Sequence, residues 1–415
     1  MSVRVIVAHP GTQHSPRLAK AVQDGGMLTA FMTQLYWDER RYPYNVIARI
    51  PVLGRIASDK GKRRSLAGIR PDLVQDIGPI RDLALYALKG IGLRRLREAT
   101  MFRANRSFSR RVAKVAAVSA DIVIAFDTSA WDAFSALKGS STRRVLDLSH
   151  PHVEGFRILK DEAIRDPEWA PSSDAPLDPA EIERCQHEEL LADHVLAASS
   201  FSETCAIADG VPAERISVIP YGVDLDRFKP TTREPGRRGP LRLIFVGQCG
   251  QRKGIRYLLE AVRRFSAEHV TLDVVGALLG PKHLYASASP NVTFHGRVTE
   301  SELTQWYHRA DVLVLPSLVE GFGLVLLEAM ASGVPVIGTP HTATPDLIET
   351  GVHGFVVPIR SPDAIAEAIE TLLASPDRLT AMKMAARARA EEFPWSRYSK
   401  SIGDLLRRLG PARRD

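Results

Sequence analysis

At 415 residues the chain is too long for a single hydrophobic core and implies two or three domains. Its 45% hydrophobic and 25% charged residues are ordinary for a globular protein, and no apolar run approaches the roughly 20 residues that span a bilayer. The net charge of +7 is concentrated: residues 55–114 hold sixteen Lys or Arg against five Asp or Glu, so the basicity belongs to one stretch and the remainder is net acidic.

Residues 3–7 read as a first β-strand, too short an apolar run for a signal peptide. A loop over 9–14 follows, then a helix over 16–23. In the basic stretch Leu83, Leu85, Leu88, Ile91, Leu93 and Leu96 interleave with Arg81, Lys89, Arg94, Arg95 and Arg97. That is the pattern of a basic amphipathic helix lying on an anionic membrane surface, although Gly90 and Gly92 interrupt it. A solvated surface helix is the other reading. No recognised nucleic-acid motif accompanies the charge, so nucleic acid is not expected as a partner. Residues 121–126 and 144–148 are rich in branched side chains and read as buried parallel strands. The prolines of 166–179 mark a loop. A helix is expected over 179–193 and a strand over 195–198, with Ser199 and Ser200 at the mouth of a strand-to-helix turn. Residues 215–219 close this half.

Residues 231–240 are polar, with Gly and Pro, and read as a linker. Beyond it strands are expected over 241–246, 271–275, 292–295, 312–315, 334–337 and 354–357, with helical patterns between most of them. Two runs of strand–helix alternation split by a linker argue for an α/β chain of two doubly wound domains, with a ligand in the cleft between them. Cys185, Cys205 and Cys249 are odd in number and widely spaced, which fits a reducing cytoplasm and no disulfide framework.

The most informative stretch runs from Glu320 to Glu328. It places two carboxylates eight positions apart around a glycine-bearing turn, after the strand over 312–315 and before the one over 334–337. Open α/β sheets bind ligands at the C-terminal ends of their strands. Gly321 and Gly323 let backbone approach a ligand, and a helix starting near Leu324 offers amides to an anion. Glu328 lies among Leu326, Leu327, Ala329 and Met330, where a carboxylate needs a partner. Eight residues at helical rise would cover roughly 12 Å, about the length of a diphosphate flanked by two sugars.

These segments resemble the family 4 (group 1) retaining glycosyltransferases, which have the two-domain GT-B fold. The resemblance covers most of the chain and is strongest from 191 to 358. Residues 194–201 (HVLAASSF) look like the family's strand and serine loop. Residues 216–224 (ISVIPYGVD) and 227–230 (RFKP) look like the lead into its interdomain linker. Residues 245–254 (FVGQCGQRKG) are similar to its first donor-domain loop, 294–298 (FHGRV) to its base loop, and 320–328 to its E-x7-E motif.

The resemblance implies an acceptor-side Rossmann-like domain over 1–228, a linker over 229–240 and a nucleotide-sugar-binding domain over 241–392. It also implies a C-terminal helix within 393–415 that packs back on the first domain. Glu328 would accept hydrogen bonds from the ribose, and Glu320 from hydroxyls of the donor sugar. Gly321, Phe322, Gly323 and Leu324 would present backbone N–H groups to the diphosphate and sugar. Lys253, assisted by Arg252, would neutralise the diphosphate, and backbone at Arg297 and Val298 would meet the base. Many members have an Arg directly after the glycine equivalent to Gly247. Here it is Gln248, which shifts the load to Arg252 or weakens leaving-group stabilisation. Gly11 stands where members have a Gly-Gly pair. His150 and His152 are both candidates for the cleft-facing histidine, and Asp127 and Ser129 are expected on the acceptor side.

The implied reaction is sugar transfer from a UDP or GDP donor to a glycan or lipid-linked acceptor, with retention and without metal or cofactor. Asp224 and Asp226 have Asp-x-Asp spacing but fall beside the linker and read as structural. The implied location is cytoplasmic, peripheral on the inner face of the membrane through residues 55–114. A GT-B epimerase or phosphorylase, and a non-catalytic sugar-nucleotide or glycan binder, remain alternatives. The E-x7-E motif and the Lys253 loop favour transfer over the former, and Gln248 keeps the latter open.

Overall fold

A computed structural model describes residues 3–11, 13–34, 36, 40, 44–47, 49, 68–77, 94–172, 179–231, 239–286 and 288–410. Among them stand two parallel sheets. The first is ordered β3-β2-β1-β4-β5-β6-β7, from Val5–Ala8 (β1), Leu28–Thr33 (β2), Val74–Asp76 (β3), Ile122–Phe126 (β4), Arg143–Leu148 (β5), His194–Ala197 (β6) and Ile216–Val218 (β7). The second is ordered β10-β9-β8-β11-β12-β13, from Leu241–Val246 (β8), Val270–Val275 (β9), Val292–Gly296 (β10), Val312–Leu315 (β11), Val336–Gly338 (β12) and Gly354–Val356 (β13). The central strands are buried on both faces, as the unbroken VIVA, IVIAF and VLVL runs require.

Ten of these strands fall where the apolar runs place them, with ends shifted by at most two residues, and β7 lies within the run 215–219 that closes the first half. β2 and β3 were not foreseen. β2 is the buried run LTAFMT, between the helix expected over 16–23 and the basic stretch that begins at Arg55. β3 is a three-residue edge strand inside that stretch, too short to show a period. The amphipathic pattern over 81–97 falls outside the described residues up to 93, as does most of the linker. From Arg94 the chain is one helix to Ser119.

Each sheet reverses its strand order once, between β1 and β4 and between β8 and β11. At such a switch point the two flanking loops diverge and open a crevice. The loops there are 9–14 and 127–130 in the first sheet, and 247–253 and 316–323 in the second.

The domains meet along one wall. The helix His152–Arg165 of the first lies against the loops of the second: Leu159 packs with Leu318 and Val319, and a Cβ on Gly155 would come within 2.9 Å of Val319. Fully buried Glu162 accepts hydrogen bonds from Tyr257 and Arg360 of the second domain. The chain crosses between domains twice, and the crossings touch. Val223 N–H donates to the Phe393 carbonyl at 2.9 Å. Beyond it the helix Trp395–Leu409 packs on Ser15–Asp24, with Arg17 over the Trp395 ring at 5.0 Å.

At the crossing a Cβ on Gly222 would lie 2.6 Å from the Trp395 backbone. Gly222→Ala must therefore push the two chains apart. Overpacking of this kind costs about 1–3 kcal/mol. The variant is expected to melt several degrees lower in a thermal denaturation scan, and an unchanged midpoint would show that the crossings are not in contact.

Candidate active site

The second domain's switch point carries most of the chemistry. After β8 the chain makes a short turn, Gln251–Lys253. After β11 it runs to Glu320. The two loops are tied together: Leu318 N–H donates to the Arg252 carbonyl at 2.8 Å, and Arg252 Nη1 donates to the Val319 carbonyl at 3.3 Å. This brings both cations to one carboxylate. Arg252 Nη1 donates to Glu320 Oε2 at 3.0 Å, and the Lys253 ammonium pairs with the same oxygen. His150 Nε2, from the first domain, stands 4.0 Å from Glu320 Oε1. Burial alone would push the Glu320 carboxyl up, but the charges of Lys253, Arg252 and His150 override it and hold it well below the usual carboxylate range.

Glu328 has the opposite surroundings. It sits in the helix Leu324–Ala331 and accepts a hydrogen bond from the buried Tyr307 hydroxyl at 2.9 Å. Burial pushes its carboxyl up, against that hydrogen bond and the charge of Arg227. Gly323 begins the helix at φ +88°, a left-handed conformation that favours glycine; Leu326 N–H bonds back to the Gly323 carbonyl at 2.9 Å, while the amides of Leu324 and Val325 have no carbonyl within the helix to bond. Phe322 is buried against Tyr221, ring centroids 4.9 Å apart, so only its backbone is available to a ligand.

At Gly321 the two domains are in close contact. A Cβ there would lie 2.0 Å from the Ser149 carbonyl oxygen. The Gly321 carbonyl accepts from Ser199 Oγ at 2.6 Å and Ser202 Oγ at 3.0 Å, both at the start of the first domain's helix Ser200–Ala208. The serine loop is thus a clamp on the donor loop, a role invisible to spacing because the partners are 122 and 119 residues apart.

Other predicted residues take more modest places. Gly247 follows β8, and Gln248 is exposed, with no hydrogen-bond partner among the described residues. Arg297 is exposed and Val298 half-buried, just before the capping box of Thr299 and Glu302. Gly11 N–H donates to His9 Nδ1 at 2.8 Å within the loop after β1. Asp127 is buried and accepts from the Ser149 hydroxyl, so it supports the segment that meets Gly321. Ser129 donates to the Phe126 carbonyl at 2.9 Å and is turned inward. His152 begins the helix His152–Arg165, and its side chain lies outside the described residues. Asp224 Oδ1 accepts the amides of Asp226 and Arg227, which makes that pair a turn cap.

Two features were missed. His14 Nε2 lies 3.0 Å from both Asp147 oxygens and 3.0 Å from the Tyr221 hydroxyl, a buried network joining the loop after β1, the end of β5 and the interdomain crossing. Burial pushes the Asp147 carboxyl up, against the pull of His14. Nearby, Thr128 is held at φ +67°, a strained conformation for a β-branched residue. Glu188 holds it there by accepting the amides of Thr128, Ala130 and Trp131. Among the described residues no cluster of three or more His, Cys, Asp or Glu is arranged to hold a metal ion.

Known proteins agree with this architecture. A family profile described as glycosyl transferases group 1 matches residues 240–375. The chain is 32% identical over 219 residues to a D-inositol 3-phosphate glycosyltransferase of Streptomyces bingchenggensis, 47% of this chain and 48% of that one. It is 35% identical over 231 residues to one of Geodermatophilus obscurus, 50% of this chain and 51% of that one. It thus spans about half the length of the curated relatives it matches. Among solved structures, sucrose-phosphate synthase from Thermosynechococcus elongatus superposes with a TM-score of 0.68 at 18% identity, over 98% of this chain and 99% of that one. Anabaena HepE in complex with UDP-glucose superposes with a TM-score of 0.64 at 17% identity, over 98% and 100%. The chain has the GT-B fold, and residues 240–375, in its second domain, are similar to the group 1 glycosyl transferases.

Proposed function

We propose that this protein transfers a sugar from a UDP-sugar to an acceptor hydroxyl, with retention of anomeric configuration. The observation that carries the reading is the convergence at one switch point of two largely withdrawn cations, Lys253 and Arg252, with a backbone turn and the paired carboxylates Glu320 and Glu328. UDP is favoured over GDP because HepE, which shares the fold, is described in complex with UDP and UDP-glucose.

In this reading the bond from the anomeric carbon to the β-phosphate oxygen breaks while the acceptor oxygen bonds to the same face of that carbon. The acceptor proton passes to the departing phosphate oxygen. Lys253, Arg252 and the amides that begin the helix Leu324–Ala331 face the charge that gathers on the leaving diphosphate. Glu328 takes the ribose hydroxyls beside Tyr307, and backbone at Arg297 and Val298 takes the base. His150 stands at the donor sugar with Glu320. The contact of Ser199 and Ser202 with Gly321 keeps the wall of the cleft shut to water, which favours the acceptor over hydrolysis. A non-catalytic sugar-nucleotide binder is the second reading, and it rests on the neutral Gln248 where a cation would aid departure.

The acceptor in this proposal is a glycan or lipid-linked molecule at an anionic membrane surface on the cytoplasmic side. It is supported by the helix Arg94–Ser119, where exposed Arg103, Arg106, Arg110, Arg111 and Lys114 border one open cavity. Arg106, Arg110 and Arg184 share the single carboxylate of Asp132, so the surface keeps a positive surplus.

Charged hydrogen bonds of the kind made by Lys253 and Glu328 contribute about 1.5–3 kcal/mol each. Lys253→Ala and Glu328→Ala are each expected to lower UDP release from UDP-sugar by at least tenfold while melting near the parent. Near-normal turnover in both would remove the site. In co-sedimentation, the protein is expected to bind phosphatidylcholine vesicles only when phosphatidylglycerol is added, and to lose that binding when Arg103, Arg111 and Lys114 are changed together to Gln. Binding that ignores the anionic lipid would reject the membrane surface and leave the sugar-transfer reading untouched.

A further inference from the structure

We infer that Glu320 is an internal counter-anion that competes with the donor's diphosphate for Arg252 and Lys253, and so governs how tightly the nucleotide is held and how readily it leaves. The inference rests on the proposed nucleotide-sugar site and adds a role for Glu320 beyond contact with sugar hydroxyls.

Both cations hydrogen-bond the same oxygen, Oε2, and all three side chains are largely withdrawn from water, at 15%, 11% and 12% exposure for Arg252, Lys253 and Glu320. Charges so buried are stable only when matched. Both cations face this one carboxylate, and His150 stands at its other oxygen. A nucleoside diphosphate brings at least two negative charges to the same cations, so the phosphates and the carboxylate must share or exchange them.

The backbone decides which partner moves. Glu320 is fixed on both sides: its N–H donates to the His341 carbonyl at 3.0 Å, and the next carbonyl, that of Gly321, is clamped by Ser199 and Ser202. The carboxylate therefore stays within reach of the cations at every stage, while the long Lys253 side chain can swing between the two anions. When the sugar leaves with the acceptor, Glu320 is positioned to recapture Lys253 and weaken the grip on the remaining diphosphate.

Free UDP has no sugar, and this separates the alternatives. If Glu320 only binds sugar hydroxyls, its replacement leaves UDP affinity unchanged. If it only props Lys253 in place, replacement weakens UDP. A counter-anion predicts the opposite sign. Titration calorimetry with UDP, at fixed ionic strength on the full chain, is expected to give at least tenfold tighter binding for Glu320→Gln, about 1.4 kcal/mol. Glu320→Asp, which keeps the charge, is expected to stay near the parent, and transfer by Glu320→Gln to fall. Lys253→Met serves as the control. If Lys253→Met weakens UDP but Glu320→Gln is unchanged or weaker, the counter-anion role is rejected and the site stands. If Lys253→Met leaves UDP affinity untouched, the site itself is wrong and the inference goes with it. Thermal melts establish that each variant is folded, and Glu320→Ala replaces Glu320→Gln should the latter not fold.

Discussion

A buried carboxylate held between two buried cations is costly unless every partner is fixed, and the architecture around Glu320 follows from that constraint. The cations come from the loop after β8 and the carboxylate from the loop after β11, strands adjacent only because the sheet reverses its order there. The backbone bond from Leu318 to Arg252 locks the two loops together. The first domain then supplies the lid: Ser149 closes over Gly321, Ser199 and Ser202 bind its carbonyl, and His150 reaches the far oxygen of Glu320. A glycine is needed at 321 because nothing larger fits between the domains.

The same contacts couple the cleft to the rest of the molecule. Phe322 packs on Tyr221, whose hydroxyl meets His14. Tyr221 precedes Gly222, the point where the crossing chains touch, and Asp147 anchors His14 in the core of the first domain. A change in domain angle would therefore be felt at once by the loop that carries Gly11 and by the turn that carries Glu320. The interdomain bonds of Glu162 to Tyr257 and Arg360 tie the two domains together as well.

What could be read from the sequence was what lies close together in it. The E-x7-E spacing, the Arg252-Lys253 turn and the helix start after Gly323 are each contained in a few residues, and buried strands such as VLVL announce themselves by length and branching. Tyr221 and Ser199 were in recognisable segments, yet their partners were not. His14 meets Asp147 across 133 residues and Tyr221 across 207. Such pairs are fixed by topology, and no period or local motif encodes them. β3 failed for a different reason: an edge strand of three residues has no alternation to detect. Between His150 and His152 the sequence offered two equal candidates, and the end of β5 at Leu148 brings His150 to Glu320.

The two glutamates of the motif look equivalent in sequence and are not equivalent in charge. Glu320 lies among cations and is held ionised; Glu328 lies beside a phenol in a desolvated pocket that raises its proton affinity. A carboxylate already balanced by buried cations can exchange partners with an incoming anion at little electrostatic cost. One whose close partner is a neutral hydroxyl gains most from further neutral donors, and in the proposed reading the hydroxyls of a ribose are such donors. In the proposed reading the motif sets apart a site that trades charge from a site that collects hydrogen bonds. The substitution at Gln248 bears on the first alone. With no cation at 248, the proposed task of facing the leaving group falls to the same two residues that Glu320 holds, and in that reading the strength of the carboxylate's grip is the controlling quantity.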